Sequence, residues 1–210
     1  MKVRDEPLRA IGPYRLLRPL GRGGMGEVHL AWSGLRLVAI KVLRAELAAD
    51  PRLAEMFLAE ARLAGRLTHS HIAQVFGVDR AAGQLYMVME YVPGWALDRL
   101  IEDPRLPGPS LVPWRVGAAM FAGLAAALAA AHRDGISHRD LSPRNVLISE
   151  TGVPKLIDFG IARAWQGDPA TTPGTLKGQF GYMAPEYVQG RPCDHRVDLF
   201  ALGVVMWETF

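Results

Sequence analysis

Hydrophobic residues occur along this chain in short runs that are bounded by glycine, proline and charged residues. Runs of strand length occupy Tyr14 to Leu20, Leu35 to Leu43 and Leu85 to Val92. Apolar runs of this length between turn-forming residues are typical of β-strands. Two further runs, Val146 to Ile148 and Val153 to Ile157, are close enough in sequence to predict a hairpin. The first part of the chain is therefore predicted to be rich in strands.

Other segments carry apolar residues at helical spacing. Asp50 and Pro51 supply an N-cap and a first-turn proline for a helix. Its apolar stripe comprises Leu53, Met56, Phe57, Glu60, Ala64 and Leu67. The uncharged run from Val116 to His132 consists mainly of alanine and glycine, which favours a buried core helix over a membrane span. Val197 to Phe210 predicts another apolar helix, with Asp198 in its first turn.

Composition narrows the class of protein. With 210 residues, 50% of them hydrophobic, the chain can bury a core. Its net charge of +3 is spread without long basic runs, so we expect no nucleic-acid partner. The single cysteine, Cys193, excludes an internal disulfide, and Met1 to Arg9 lacks the apolar core of a signal peptide. We expect a cytoplasmic protein without a membrane segment, whose longer parent chain could still carry an anchor.

Polar side chains stand at the ends of the predicted hairpin. His138, Asp140 and Asn145 precede the run Val146 to Ile148, and Asp158 follows the second run directly. Carboxylate and amide oxygens suit Mg²⁺ better than they suit a softer metal. These residues therefore predict a site that handles phosphate groups.

Glycines follow the first predicted strand in the pattern G-x-G-x-x-G, at Gly21, Gly23 and Gly26. Such glycines let backbone N–H groups approach phosphate oxygens closely. A strand follows the glycines and runs through Ala31, whereas a dinucleotide-binding loop requires a helix at this point. A phosphate-covering loop and a plain tight hairpin both remain open from the pattern alone.

A lysine and a glutamate occupy positions where apolar residues are expected. Lys41 lies in the centre of an apolar strand, and an unpaired buried ammonium is costly. Glu60 lies on the apolar face of the helix that begins near Pro51. An ion pair between Lys41 and Glu60 would explain both positions; the alternative is two unrelated side chains that reach solvent separately.

Several motifs together resemble the signature set of the eukaryotic-type protein kinases. They are the glycine pattern, Val38-Ala39-Ile40-Lys41, His138-Arg139-Asp140 with Asn145, Asp158-Phe159-Gly160 and Met183-Ala184-Pro185-Glu186. The resemblance covers Tyr14 to Phe210 and is closest to the Hanks-type bacterial serine/threonine kinases. It implies a bilobal α+β fold after an N-terminal extension, 1–13. The kinase domain, 14–210, would have a β-rich N-lobe at 14–91 with one regulatory helix, and a mainly helical, incomplete C-lobe at 92–210.

The resemblance also implies residue roles, with ATP and Mg²⁺ as cofactors. It assigns catalysis to Asp140, Lys41, Glu60 and Arg144. It assigns nucleotide contacts to Gly21, Gly23, Gly26, Val28, Ala39, Lys41, Glu90, Val92 and Leu147, with Met89 as gatekeeper. It assigns the metal to Asn145 and Asp158, and supporting roles to His138 and Phe159. Small-lobe and large-lobe groups would then grip one nucleotide from opposite sides.

Two departures from the family pattern concern the phosphate site. Ser142 replaces a lysine that contacts the γ-phosphate, and Gln179 replaces a threonine that bridges to it. Arg144 could supply the missing positive charge, since a guanidinium binds phosphate well. The resemblance further implies protein substrates and an activation segment in which Thr171, Thr172 or Thr175 becomes phosphorylated and pairs with Arg139.

Family members continue for several helices beyond the segment that matches Val197 to Phe210. We therefore expect exposed apolar side chains there, namely Leu199, Phe200, Val204, Met206 and Trp207, and a chain that is a fragment of a longer protein. The main functional hypothesis is an ATP-dependent serine/threonine kinase. The alternative is a pseudokinase-like module that binds nucleotide with little or no transfer.

Overall fold

The structure is a computed structural model that describes residues 10–102, 112–159 and 180–210. The chain divides into two compact units. The first takes in the described residues up to Arg66 together with Gln74–Tyr91, and the second takes in Leu67–Ala73 and the described residues from Val92 onward. Strands dominate the first unit and helices the second, so the predicted α+β class is confirmed.

The first unit contains a six-stranded antiparallel sheet with the order β1-β2-β3-β4-β6-β5. Its strands are β1 (Ala10–Ile11), β2 (Tyr14–Arg22), β3 (Gly26–Trp32), β4 (Leu37–Leu43), β5 (Val75–Ala81) and β6 (Gln84–Glu90). The predicted strands are present with shifted ends. The strand predicted at Leu35 to Leu43 begins at Leu37 instead, because Leu35 lies in the β3–β4 turn with 91% of its surface exposed.

One face of this sheet packs against helix α2 (Pro51–Ala64), which follows the short helix α1 (Ala45–Ala48). The predicted N-cap is confirmed, because the Asp50 side chain accepts a hydrogen bond from Arg52 N. The buried side chains of α2 are Ala54, Met56, Phe57, Glu60, Ala61 and Ala64. The observed stripe differs from the predicted one at both ends. Leu53 is only half-buried, and Leu67 lies beyond the end of the helix.

The opposite face of the sheet is covered by the N-terminal segment. Ile11 in β1 pairs with Tyr14 and packs with a cluster of Ala31, Val38, Ile40, Tyr86 and Val88. Gly12 has φ of +52°, and a Cβ on it would lie 2.5 Å from Tyr86 Oη, so only glycine fits this turn. The segment 1–13, predicted as an extension, thus contributes a strand at Ala10–Ile11.

The second unit combines helices with a small sheet of order β7-β8-β9. Its helices are α3 (Leu97–Ile101), α4 (Trp114–Arg133), α5 (Pro185–Val188) and α6 (Arg196–Thr209), and its strands are β7 (Gly94–Ala96), β8 (Val146–Ser149) and β9 (Pro154–Leu156). Strands β8 and β9 form the predicted hairpin. His71 fixes one end of it, because its Nδ1 lies 2.8 Å from Pro154 O and its carbonyl accepts from Leu156 N.

Helix α4 buries one face along its length, as expected of a core helix. The buried residues are Gly117, Met120, Phe121, Leu124, Ala127, Leu128 and Ala131. Within the described part of the chain, α4 is the one helix long and apolar enough to cross a membrane, by length and composition only. A buried helix of a globular protein passes the same test.

Helix α6 buries Val197, Ala201 and Val205 and leaves apolar side chains on its other faces. Leu199, Phe200, Met206 and Trp207 are between 41% and 80% exposed, so the predicted exposure is confirmed for these four. Val204 was predicted to be exposed too, but it is only half-exposed.

Gly26→Ala should destabilise the first unit, because a Cβ at Gly26 would lie 1.9 Å from Val42 O, a backbone atom that cannot swing aside. We expect a loss of about 2 kcal/mol or more in the free energy of unfolding. Gly24→Ala is the matched control, since its Cβ would meet nothing within 4 Å. Denaturant unfolding of the two variants measures the difference, and equal stabilities would contradict the close approach.

Candidate active site

A buried ion pair links strand β4 to helix α2 in the first unit. Lys41 Nζ lies 3.2 Å from Glu60 Oε1, and the two side chains are 12% and 5% exposed. Strand β4 is central in the sheet, so Lys41 has strand neighbours on both sides, Val28 in β3 and Met87 in β6. The predicted pair is therefore present, and each charge compensates the burial of the other.

The glycine pattern forms the turn between β2 and β3. Gly21 pairs with Val28, Arg22 pairs with Glu27, and Gly23 N donates to Gly26 O at 2.8 Å. Both sequence interpretations required a hairpin, and the structure contains one.

The residues predicted to surround a purine are distributed over both units. In the first unit, Val28, Ala39 and Met89 belong to the apolar cluster beneath the sheet. Glu90 N donates to Gln74 O at 2.8 Å, which commits that N–H to the protein. In the second unit, Val92 is buried, and Leu147 lies in β8 between Ala96 and Lys155. Their contact with a nucleotide stays a prediction.

A buried carboxylate holds the polar loop in the second unit. Asp198, 1% exposed, accepts hydrogen bonds from His138 N at 2.8 Å and Arg139 N at 2.7 Å. His132 Nε2 lies 2.7 Å from the same carboxylate. Arg139 has φ of +59°, a strained value for this residue type. Asp198 thus fixes the backbone immediately before Asp140.

His132 was missed by sequence reasoning. It lies in the last turn of α4, at the end of an otherwise apolar run. A single histidine that ends a buried helix was the available signal. Its partner Asp198 is distant in sequence, so the pattern alone gave no reason to join them.

Hydrogen bonds join Asp140 to Asn145, and Asn145 to the residue that precedes Asp158. Asn145 Nδ2 donates to Asp140 O at 2.7 Å and to Asp140 Oδ2 at 3.3 Å. Asn145 O accepts from Ile157 N at 3.0 Å, directly before Asp158. The structure therefore brings Asp140, Asn145 and Asp158 together in one unit.

These ligands fit a magnesium ion. Because Asn145 Nδ2 is bound to Asp140, its Oδ1 is the atom left to face a metal. Asp158 adds a carboxylate and has φ of +53°, a strained backbone of the kind found at functional sites. Mg²⁺ typically takes one or two protein carboxylates and completes its shell with phosphates and water. Within the described ranges, no group of three or more His, Cys, Asp or Glu residues could hold a metal alone.

His138 is a packed, neutral support for this loop. It is fully buried, and its ring lies 4.6 Å from the Phe159 ring. Nε2 lies 3.1 Å from Ile157 O, and Nδ1 accepts from Asp140 N at 3.3 Å. Burial lowers the pKa of His138 below 6.5, although Asp198 and Asp140 act in the opposite direction. A neutral ring that donates at Nε2 and accepts at Nδ1 satisfies both contacts.

The residues that depart from the family pattern have different surroundings. Ser142 is 2% exposed, and its hydroxyl has no hydrogen-bond partner in the part of the chain that the structure describes. A cavity of about 20 Å³, enough for one water molecule, is lined by Ser142, Asp140 and Tyr182 among others. Arg144 was predicted to serve the phosphate, and its ion-pair partner in the structure is Asp98 of α3, at 3.5 Å. Gly160, Thr171, Thr172, Thr175 and Gln179 lie outside the described residues.

A second contact missed from the sequence anchors the segment before α5. Tyr182 Oη donates to Glu208 Oε2 of α6 at 2.6 Å. Burial is the larger cause, and this hydrogen bond to Glu208 the next, that raises the pKa of Tyr182 well above its usual value of 10. The phenol therefore stays protonated and keeps donating throughout the physiological pH range.

Comparisons with known proteins identify the family of this chain. The family model described as "Protein kinase domain" matches residues 14–210. Serine/threonine-protein kinase PknH of Mycobacterium tuberculosis is 40% identical over 199 residues, which are 94% of this chain and 31% of PknH. Serine/threonine-protein kinase PknE of Mycobacterium bovis is 38% identical over 94% of this chain and 34% of its own length. The chain thus spans about a third of these relatives.

Solved structures give the same result. The crystal structure of the Mycobacterium tuberculosis PknI kinase domain matches with a TM-score of 0.76 and 32% identity. The match covers 98% of this chain and 77% of the chain in that crystal structure.

The depressed pKa of His138 has a consequence for stability. Below pH 6.5 the His138 ring is protonated in the unfolded chain but stays neutral in the folded protein. The free energy of unfolding should therefore fall as the pH drops from 6.5 toward the lower pKa of the folded state. His138→Phe keeps an aromatic ring but cannot titrate, and should remove a slope of up to about 1.4 kcal/mol per pH unit.

Denaturant unfolding between pH 7.5 and pH 5 measures this slope. An unchanged slope in His138→Phe would contradict a neutral buried ring.

Proposed function

We infer that this chain, which belongs to the protein kinase family, transfers the γ-phosphate of ATP to serine and threonine hydroxyls of proteins. The predicted relationship to Hanks-type bacterial kinases is confirmed by relatives that are named serine/threonine-protein kinases. The observation that carries the proposal is the chain of contacts from Asp140 through Asn145 to Ile157, which supports a site of one catalytic carboxylate and two metal ligands.

Asp140 would act on the acceptor hydroxyl. Its carboxylate is oriented by Asn145 Nδ2, and its backbone is fixed by the contacts that Asp198 makes to the preceding residues. A carboxylate held in this way can orient a hydroxyl and receive its proton as the new P–O bond forms. The chain gains rate mainly from this positioning and from charge stabilisation.

Asn145 Oδ1 and the Asp158 carboxylate would hold Mg²⁺. A bound Mg²⁺ would neutralise charge on the phosphate oxygens. The left-handed backbone at Asp158 and the hydrogen bond from Ile157 N to Asn145 O keep the two ligands in fixed positions before any ion binds.

In the first unit, Lys41 would neutralise phosphate charge while Glu60 holds its ammonium in place. The nucleotide contacts proposed for the remaining residues are with Gly21, Gly23, Gly26, Val28, Ala39, Glu90, Val92 and Leu147. The glycines would supply backbone donors, the apolar residues would contact the purine, and backbone groups of Glu90 and Val92 would bind its polar edge.

The alternative, a nucleotide-binding module with little transfer, has no support in the comparisons, whose named relatives are kinases. We also propose a cytoplasmic location for this domain and phosphorylation at Thr171, Thr172 or Thr175.

Asp140→Asn and Asp158→Ala should each reduce γ-phosphate transfer, by at least about 100-fold for Asp140→Asn. Asp134→Asn removes a charge from an exposed position in the same unit and is the matched control. Transfer of labelled γ-phosphate from Mg-ATP to a generic protein acceptor measures the effect. Equal activity in all four proteins would remove the proposal, and ATP binding without transfer in the wild type would favour the alternative.

Arg144→Ala tests whether this arginine replaces the missing lysine. If its guanidinium stabilises the transferred phosphate, turnover should fall about tenfold while ATP affinity stays nearly constant. Asp98→Ala should then leave turnover intact or raise it, because it releases Arg144 from its partner. Steady-state kinetics and ATP titration separate the two quantities, and an unchanged rate in Arg144→Ala would assign the arginine to the pair with Asp98 alone.

A further inference from the structure

Three carbonyl groups at the tip of the glycine-rich hairpin accept hydrogen bonds. Gly26 O accepts from Gly23 N at 2.8 Å, and Met25 O accepts from Arg44 N at 3.1 Å. Gly24 O accepts from the guanidinium of Arg44, through Nη2. One residue outside the glycine pattern therefore holds two of the three carbonyls.

Two N–H groups of the same tip are left open. Among the described residues, Gly24 N and Met25 N donate no hydrogen bond within the protein. The peptide bonds are trans, so the carbonyl of Gly24 and the N–H of Met25 point in opposite directions. Because Arg44 binds the carbonyl, the Met25 N–H is turned away from Arg44. Where the carbonyls of Gly24 and Met25 are occupied and their N–H groups are open, the turn presents positive dipole ends to a ligand, which favours an anion.

Arg44 is well anchored for this role. It directly follows β4, and its carbonyl accepts from Leu47 N and Ala48 N at the start of α1. Its backbone is thus fixed both to α1 and to Met25 O. The side chain is exposed, so changing it opens no cavity in the core. The Met25 side chain packs on the apolar cluster under the sheet, which fixes the tip from its other side.

We propose that Arg44 is a positioning residue for the triphosphate of ATP. Its guanidinium holds the Gly24 carbonyl on the side away from the nucleotide and so keeps the N–H of Met25 directed at the phosphate oxygens. This inference rests on the proposed function, since it takes ATP as the ligand. Arg44 itself contacts no phosphate in this arrangement and acts through the backbone that it holds.

Binding of ATP and of adenosine to Arg44→Met tests the inference. Methionine keeps an unbranched stem but cannot donate, so Gly24 loses its partner. We expect the dissociation constant for Mg-ATP to rise about fivefold, the loss typical of one hydrogen bond, and that for adenosine to stay unchanged. Arg44→Lys retains a donor and should recover part of the ATP affinity. In kinetics, KM for ATP should rise more than kcat falls.

Arg52→Met is the matched control, because Arg52 is an exposed arginine of the same unit whose side chain makes no hydrogen bond within the described residues. It should leave both affinities unchanged. The fivefold effect should also persist at about 0.5 M salt, where attraction between an exposed charge and phosphate is largely screened. An effect that disappears at high salt would show that Arg44 acts only by charge attraction to phosphate, and would overturn its role as a positioning residue.

Two other results would overturn the inference. Equal weakening of ATP and adenosine, with a lowered melting temperature, would make Arg44 a merely structural residue. Unchanged ATP affinity in Arg44→Met would show that the hairpin tip holds its shape unaided. Both results differ from a failure of the proposed function, in which the wild-type protein itself would bind no Mg-ATP or would bind it without transferring phosphate.

Discussion

The organisation of the second unit depends on one buried carboxylate, Asp198. A charge that is 1% exposed is tolerated only when hydrogen bonds replace its lost hydration. The backbone N–H groups of His138 and Arg139 and the ring of His132 provide those bonds. The interaction therefore works in both directions: the loop satisfies the charge, and the charge fixes the loop. A helix residue thereby sets the backbone position of Asp140, far away in sequence.

Two of the three described non-glycine residues with positive φ fit this account. Arg139 and Asp158 both adopt positive φ. Arg139 directly precedes Asp140, and Asp158 is itself a proposed metal ligand. Such conformations persist only where neighbouring contacts over-determine them. For Arg139 the contact is Asp198, and for Asp158 it is the bond between Ile157 N and Asn145 O. His138 and Phe159 pack between these two places, so the two strained points share one support.

Much of this arrangement could be predicted from the sequence, because a buried charge is visible as a charged residue within a local apolar pattern. A lysine within an apolar strand and a glutamate on an apolar helix face each required a partner, and Lys41 binds Glu60. The hairpin of β8 and β9 followed from two short apolar runs. His132, Arg44 and the bond between Tyr182 and Glu208 left no such record, because each joins distant residues whose local pattern is ordinary. Arg144 shows the same limit, since its charge was evident but its partner Asp98 was set by the packing of α3.

The strand Ala10–Ile11 bears on where this folding unit begins. The family match starts at residue 14, yet Ile11 and Gly12 cover the ring of Tyr86 on the sheet face opposite α2. A recombinant fragment that begins at the first matched residue would lack Ile11 and would expose part of Tyr86, Ile40 and Val88 to solvent on this face of the sheet. The interval recognisable by similarity is thus shorter than the interval that covers this face of the sheet, and the difference is a few residues outside the proposed catalytic site.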